Sequence, residues 1–297
     1  MSALFALVAA AALAQPSPED TAAPCLPPAQ WQDGQGRPLS QNAALAEAAR
    51  ARIILLGEAH ETPGIHRWQA DTARQLAADG RPLVIAVEWL PRAAQAALDA
   101  FTSGASDEAK FLTESEWEIR WGYDFAAYRP VFELARSHAL PVRAVNIDRS
   151  IVRATSKNGL DAGLDTARKA GTALGRPAAP SADYKARLEA SFAEHGAGEA
   201  SPPKPEALAR FIAAQTIWDR AMAEGIAAIL AETPEARVVA LMGHGHVEAG
   251  HGVAHQLAAL GHRDVFSAIP AIADPDQPGH CSPGTHPAHR LAGWREE

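Results

Sequence analysis

The chain has 297 residues, enough to bury a full core in one large domain or two small ones. Its hydrophobic content of 47% is ordinary for a folded protein. A formal net charge of −8 argues against a nucleic-acid surface or an anionic-membrane footprint, both of which need a basic field.

Ala3 to Leu13 is an apolar run, and Ala12-Leu13-Ala14 forms an A-x-A pattern before Gln15. Residues 1–14 are therefore expected to be a secretory signal peptide, which makes the mature chain an exported, periplasmic or cell-envelope protein. Cys25 follows Pro24, which does not suit a lipidation site, and no later segment is apolar and long enough for a transmembrane helix. Residues 15–40, rich in Pro, Gln, Asp and Gly, read as a linker. Cys25 and Cys281 are the two cysteines. In an oxidising compartment they would form one disulfide tying the chain ends together; the alternative is a pair of free thiols.

An Ala-rich helix over Gln41 to Arg50 leads into the apolar run Arg52 to Leu56, which ends in Gly57-Glu58-Ala59-His60. A short continuous apolar stretch closed by Gly is the mark of a buried parallel strand. A helix from Gly64 to Ala78 follows, with Ile65, Trp68, Ala73 and Leu76 near one face. The strand Leu83 to Val87 closes on Glu88, and Pro91 opens a helix to Phe101. Glu114 to Tyr128 holds Trp117, Trp121, Tyr123, Phe125 and Tyr128, too aromatic for a simple surface loop. The helix Arg129 to His138 and the strand Val142 to Val145 come next, ending on Asn146. Residues 149–207 break into helix-prone pieces and read as an inserted cap. Leu208 to Leu230 is a helix with Phe211, Gln215, Trp218, Met222, Gly225 and Ile229 along one stripe. The strand Arg237 to Met242 then ends in Gly243-His244-Gly245-His246. A helix from Val253 to Leu260, a strand from Val265 to Ile269 and a Pro/His-rich tail over 271–297 complete the chain. The expected fold is a single α/β domain over 41–270, with a mostly parallel central sheet flanked by helices and an inserted helical cap.

Two turns of the form G-x-x-H thus close two strands, and in open α/β sheets ligands bind beyond the carboxyl ends of the strands. The pattern gathers Glu58, His60, Glu88, His244 and His246 as a catalytic set. Such residues either hold a divalent metal such as zinc, with Glu58, His60 and His246 as ligands, or activate water by acid–base chemistry. Asn146, Gln215 and Asp219 are placed behind them as orienting residues. His251 is given less weight, and His280, Cys281, His286 and His289 are read as a fortuitous tail cluster.

Several of these pieces occur in a specific order: Ile54-Leu55-Leu56-Gly57-Glu58-Ala59-His60, Ala86-Val87-Glu88, Tyr128-Arg129-Pro130, Asn146, Ala214-Gln215-x-x-Trp218-Asp219-x-x-Met222-Ala223 and Gly243-His244-Gly245-His246-Val247. Over roughly residues 50–260 the chain resembles the ChaN-type haem-binding lipoproteins, a branch of the superfamily of Tiki, TraB and erythromycin-esterase-like proteins. The resemblance implies an α/β fold, haem as ligand, a homodimer holding stacked haems, and work beside outer-membrane haem or iron uptake machinery. It also implies a tyrosine on each iron. Of Tyr123, Tyr128 and Tyr184, all the tyrosines present, Tyr128 and Tyr184 are taken as the ligand candidates. Tiki-type relatives are metal-dependent proteases and esterase-type relatives hydrolyse with a Glu/His set. Glu58, His60, Glu88 and His246 match that superfamily site, so a metal-dependent hydrolase of protease or esterase type is the alternative function.

Overall fold

The computed structural model describes residues 24–195, 204–274 and 279–296. Residues 1–14, expected to be the signal peptide, lie outside the described residues. In chain order the elements are β1 (Gln30–Gln32), β2 (Pro38–Ser40), α1 (Gln41–Arg50), β3 (Ile53–Glu58), α2 (Pro63–Ala77), β4 (Leu83–Pro91), α3 (Gln95–Thr102), α4 (Glu108–Glu114), α5 (Trp117–Arg120), α6 (Phe125–Ser137) and β5 (Val142–Asn146). They continue with α7 (Arg149–Asn158), α8 (Leu160–Lys169), α9 (Ala182–His195), α10 (Pro205–Glu232), β6 (Arg237–Gly243), α11 (Gly252–Ala259), β7 (Val265–Pro270), β8 (Ile272–Ala273), β9 (Cys281–Ser282) and β10 (Arg290–Ala292).

An eight-stranded sheet carries the fold, in the order β2-β1-β10-β7-β3-β6-β4-β5. From β10 to β5 every pairing is parallel, and β1 and β2 add an antiparallel edge. The expected α/β architecture with a mostly parallel sheet is thus observed. Successive strand residues serve opposite faces. Ile54, Leu56, Ile85, Val87, Val239 and Leu241 join a core roofed by α1, α2 and α6. Ile53, Leu55, Val84, Ala86, Val238 and Ala240 join the other, under α10 and α11. Full burial of each such Val, Leu or Ile side chain is worth about 1.5–3 kcal/mol. Gly225 sets the approach of α10 to the sheet, because a Cβ there would sit 2.7 Å from Val145 Cβ.

The cap residues behave as an extension of the core. Ile151 of α7 and Ala167 of α8 pack with Ile217 and Ala221 of α10. The aromatic stretch of α5 and α6 is also core. Trp117, Phe125 and Tyr128 interlock with Trp89, Phe111 and Phe132 through tilted and edge-to-face contacts.

Three features differ from the sequence expectation. The strand expected over Leu83–Val87 runs on to Pro91, with a register shift between Val87 and Pro91, so Glu88 and Trp89 belong to the strand itself. The stretch expected to be a linker supplies β1 and β2, and the stretch expected to be a tail supplies β10, which inserts between β1 and β7. Strands of three residues show no periodicity, and the clue lay in Trp31 and Trp294, both fully enclosed. Cys25 and Cys281 form a disulfide across 256 residues, with Cα atoms 5.5 Å apart.

Candidate functional site

The sheet order decides what meets at the carboxyl edge. β6 lies between β3 and β4, so the Gly243 turn sits between the strand ends that carry Glu58 and Glu88. Glu58 and Gly243 are register partners. A Cβ on Gly243 would stand 3.2 Å from His60 Nε2 and 3.7 Å from Glu88 Oε2, so glycine leaves room for both. Gly57 does the same for the His244 backbone, whose Cα lies 3.1 Å from the position a Cβ would take.

Two hydrogen-bond networks flank this turn. On the α2 side, Glu58 is buried and accepts from His60 Nδ1 at 2.9 Å, Trp89 Nε1 at 3.0 Å and Gln69 Nε2 at 3.1 Å. His66 Nδ1 donates to Gln69 Oε1 at 3.1 Å and lies 3.6 Å from the Glu58 carboxylate. Burial works against the charge on Glu58, but His66, His60 and the Trp89 indole outweigh it and hold its carboxyl below the ordinary value. His66 is pushed below the ordinary imidazole value by burial, against the pull of Glu58, and its Nε2 has no partner.

On the α10 side, Asp219 is wholly buried. Its Oδ1 receives His246 Nδ1–H at 2.6 Å and its Oδ2 receives the Tyr184 hydroxyl at 2.8 Å. His246 Nε2 lies 3.5 Å from Glu88 Oε1, while Glu88 Oε2 accepts the Gly243 N–H at 2.7 Å. Burial opposes charging of His246, yet Glu88 and Asp219 hold it above the ordinary imidazole value. Asn146 ties this side together: its Nδ2 donates to the Glu88 carbonyl at 2.8 Å and its Oδ1 accepts from Trp218 Nε1 at 2.5 Å. A cleft of about 190 Å³ opens onto His246 and Gly245, walled by Tyr184, Arg187, Phe211 and Gln215. Arg187 reaches from α9 to the Gly245 carbonyl at 3.1 Å and to Glu248 at 2.6 Å, so the cap is hinged onto the histidine turn.

The structure therefore brings together Glu58, His60, Glu88, His246, Asn146 and Asp219, with Gln215 on the cleft wall. His244 stands apart, partly exposed and 3.8 Å from Glu248. His251 stacks on Tyr184 at 5.1 Å, and His289 is buried against the Gly284 carbonyl and the Ala249 N–H. His66, Gln69 and Trp89 escaped the sequence reading. The signal for the first two was polar residues three apart within the apolar face of α2.

Two of the expected ligand sets have their side chains engaged within the protein. Among the described residues no group of three or more His, Cys, Asp or Glu is arranged to hold a metal ion, so a metal on Glu58, His60 and His246 is not supported. The reason is visible in their hydrogen bonds. Both Glu58 oxygens are engaged by His60, Trp89 and Gln69, and His246 Nδ1 is engaged by Asp219. Tyr128 and Tyr184 are both buried. Tyr128 is fully enclosed, with His66 4.2 Å away and the Glu61 N–H on its hydroxyl, and Tyr184 is capped by Asp219. Burial, reinforced by Glu58 and by Asp219 respectively, pushes both phenols far above the ordinary value. Tyr123 is only half-buried, and its ring lies 5.1 Å from His60 and 5.2 Å from Trp121 at the site margin.

Comparison with known proteins adds the family. The structure of ChaN from Campylobacter jejuni, described as showing cofacial haem binding, superposes with a TM-score of 0.67 at 15% identity, covering 90% of this chain and 96% of that one. An erythromycin esterase mutant, EreC H289N in its open conformation, gives a TM-score of 0.45 at 13% identity over 85% of this chain and 82% of the other. The type III effector HopBA1 gives 0.46 at 13% identity over 84% and 90%. No curated protein sequence matches the chain. The family described as haem-binding uptake, Tiki superfamily, ChaN matches residues 44–257, and the chain belongs to that family.

Proposed function

We propose that this protein binds haem and serves haem or iron uptake in the cell envelope, as a homodimer working beside outer-membrane uptake machinery. The observation that carries the reading is the family match across residues 44–257, supported by the fold shared with a haem-binding ChaN. Bound haem supplies an iron that takes an axial oxygen or nitrogen donor. The residues that fit it are at the site margin. Tyr123 is the tyrosine with solvent access, and Trp121 and His60 lie beside it as a flat wall. Titrating haemin into the protein should produce a saturable Soret band. Tyr123→Phe should shift or abolish that band, whereas Tyr184→Phe should leave it in place. A featureless titration, or bands that ignore all three tyrosines, counts against this reading.

A second reading rests on Asp219 and Glu88, which flank the two ring nitrogens of His246, the histidine that lines the cleft. An imidazole oriented through Nδ1 by a buried carboxylate is the arrangement of a general acid–base, and the reaction it suits is hydrolysis of an ester or amide. Turnover of an ester or peptide panel that survives a chelator and is lost in His246→Ala supports it. Equal turnover by the wild type and His246→Ala removes it.

A further inference from the structure

Phe211, Gln215 and Asp219 stand four residues apart on α10, so their side chains lie in one row with about 6 Å of helix rise between neighbours. Asp219, the last of the row, is the carboxylate that holds His246. The other two wall the cleft of about 190 Å³ that opens onto His246 and Gly245. Both are half-buried. The row thus presents an apolar ring, a carboxamide and the carboxylate–imidazole pair in that order.

The polar groups around the cleft differ in how they are engaged. The Tyr184 hydroxyl donates to Asp219, and the Arg187 guanidinium is held by the Gly245 carbonyl and Glu248. The Gln215 carboxamide has no hydrogen-bond partner among the described residues. A carboxamide carries a carbonyl acceptor and N–H donors side by side. The ligand group that answers both is another amide, with its own N–H and carbonyl, whereas an ester offers acceptors alone. One turn earlier, Phe211 adds apolar surface, its ring steadied by Phe192 at 5.1 Å between centroids. Trp218, with its ring 5.7 Å from that of His246, flanks the imidazole at the other end of the row.

We propose that this cleft takes a small amide, its amide group on the Gln215 carboxamide and its apolar substituent against Phe211. Gln215 is then the residue that sets specificity. An ester in the same place leaves the Gln215 carbonyl facing an oxygen instead of an N–H. One such hydrogen bond in a half-buried site corresponds to about tenfold in affinity. This rests on the hydrolytic reading for the part that His246 plays at the end of the row, and it adds the class of molecule delivered there.

The test titrates the whole protein with N-isobutylacetamide and with its isosteric ester, isobutyl acetate, and follows the His246 ring signals by NMR. Binding is read, not turnover, so a cleft that prefers the amide but cleaves nothing sinks the hydrolytic reading and leaves the specificity of Gln215 standing. The amide should bind about tenfold more tightly than the ester. Gln215→Leu keeps the bulk and removes the polar pair, and it should bring the amide down to the ester. Gln215→Glu keeps an acceptor for the amide N–H and should retain the preference. Phe211→Ala should weaken both ligands alike. Equal affinity for amide and ester in the wild type, a preference that survives Gln215→Leu or is lost in Gln215→Glu, wild-type binding by Phe211→Ala, or no movement of the His246 signals at tens of millimolar amide each overturns the proposal.

Discussion

Asp219 Oδ1 and His246 Nδ1 lie 2.6 Å apart, one from the middle of a long helix and the other from the turn after a central strand. The carboxylate fixes which ring nitrogen carries the proton and leaves Nε2 toward Glu88. This pair is the hinge between the cap, through Tyr184, and the sheet edge.

Replacing Asp219 with Asn removes one of the two anions that raise the His246 pKa. In NMR titrations the imidazole of Asp219→Asn should therefore titrate at lower pH than in the wild type. The raised folded value also sets a stability window. The stabilisation is fully present below the unfolded value of 6.5 and is lost as pH rises through the folded value. Urea midpoints of the wild type and Asp219→Asn should thus converge on the alkaline side. Identical histidine titrations in the two proteins would falsify the electrostatic role.

Glu58→Gln leaves His60, Trp89 and Gln69 donors facing a single amide oxygen. A loss of about 1–3 kcal/mol is expected, seen as a lower urea midpoint. His66, already below 6.5, should titrate lower still once its attracting charge is gone. In the wild type the depressed Glu58 carboxyl contributes stability above 4.5 that is lost as pH falls through its folded value. Glu58→Gln should lack that acid-side component. A variant with wild-type acid sensitivity speaks against it.

Gly225→Ala puts a methyl group 2.7 Å from Val145 Cβ and 3.0 Å from its Cα. The helix must move off the sheet, at about 1–3 kcal/mol for such overpacking. Denaturant unfolding measures this directly. An unchanged or higher midpoint means that α10 has slack against β5.

Cys25→Ser opens a bridge that spans 256 residues. Loss of such a link costs about 2–5 kcal/mol, mainly by freeing the unfolded chain. Exchange of amide hydrogens should rise first at the β1–β10 pairing of Trp31 with Ala292. The His246 titration should remain as in the wild type, because the strand-end networks lie on other elements. Uniform loss of protection across the sheet, rather than at this edge, is the contrary result.

Much of the site was legible in local pattern. Gly57 to His60 and Gly243 to His246 each follow an apolar run, and a buried strand ending in a glycine turn is encoded within about ten residues. Glu88 and Asn146 could be placed near strand ends for the same reason. Burial of a neighbouring core, by contrast, does not announce itself locally. Tyr128 in the sequence carries no sign that His66, Trp89 and Trp117 will enclose it.

Sequence alone determined the α/β class, the two G-x-x-H turns, the family-ordered motifs and the cysteines available for pairing. Each depends on side-chain type and short spacing. Tertiary structure alone decided that β6 lies between β3 and β4, so that His60 and Glu88 flank Gly243. It decided that Asp219 meets His246, and that three-residue strands from segments far apart in the chain finish the sheet. These are relations between segments far apart in the chain. They follow from which surfaces bury one another, and no local pattern of residues carries that information.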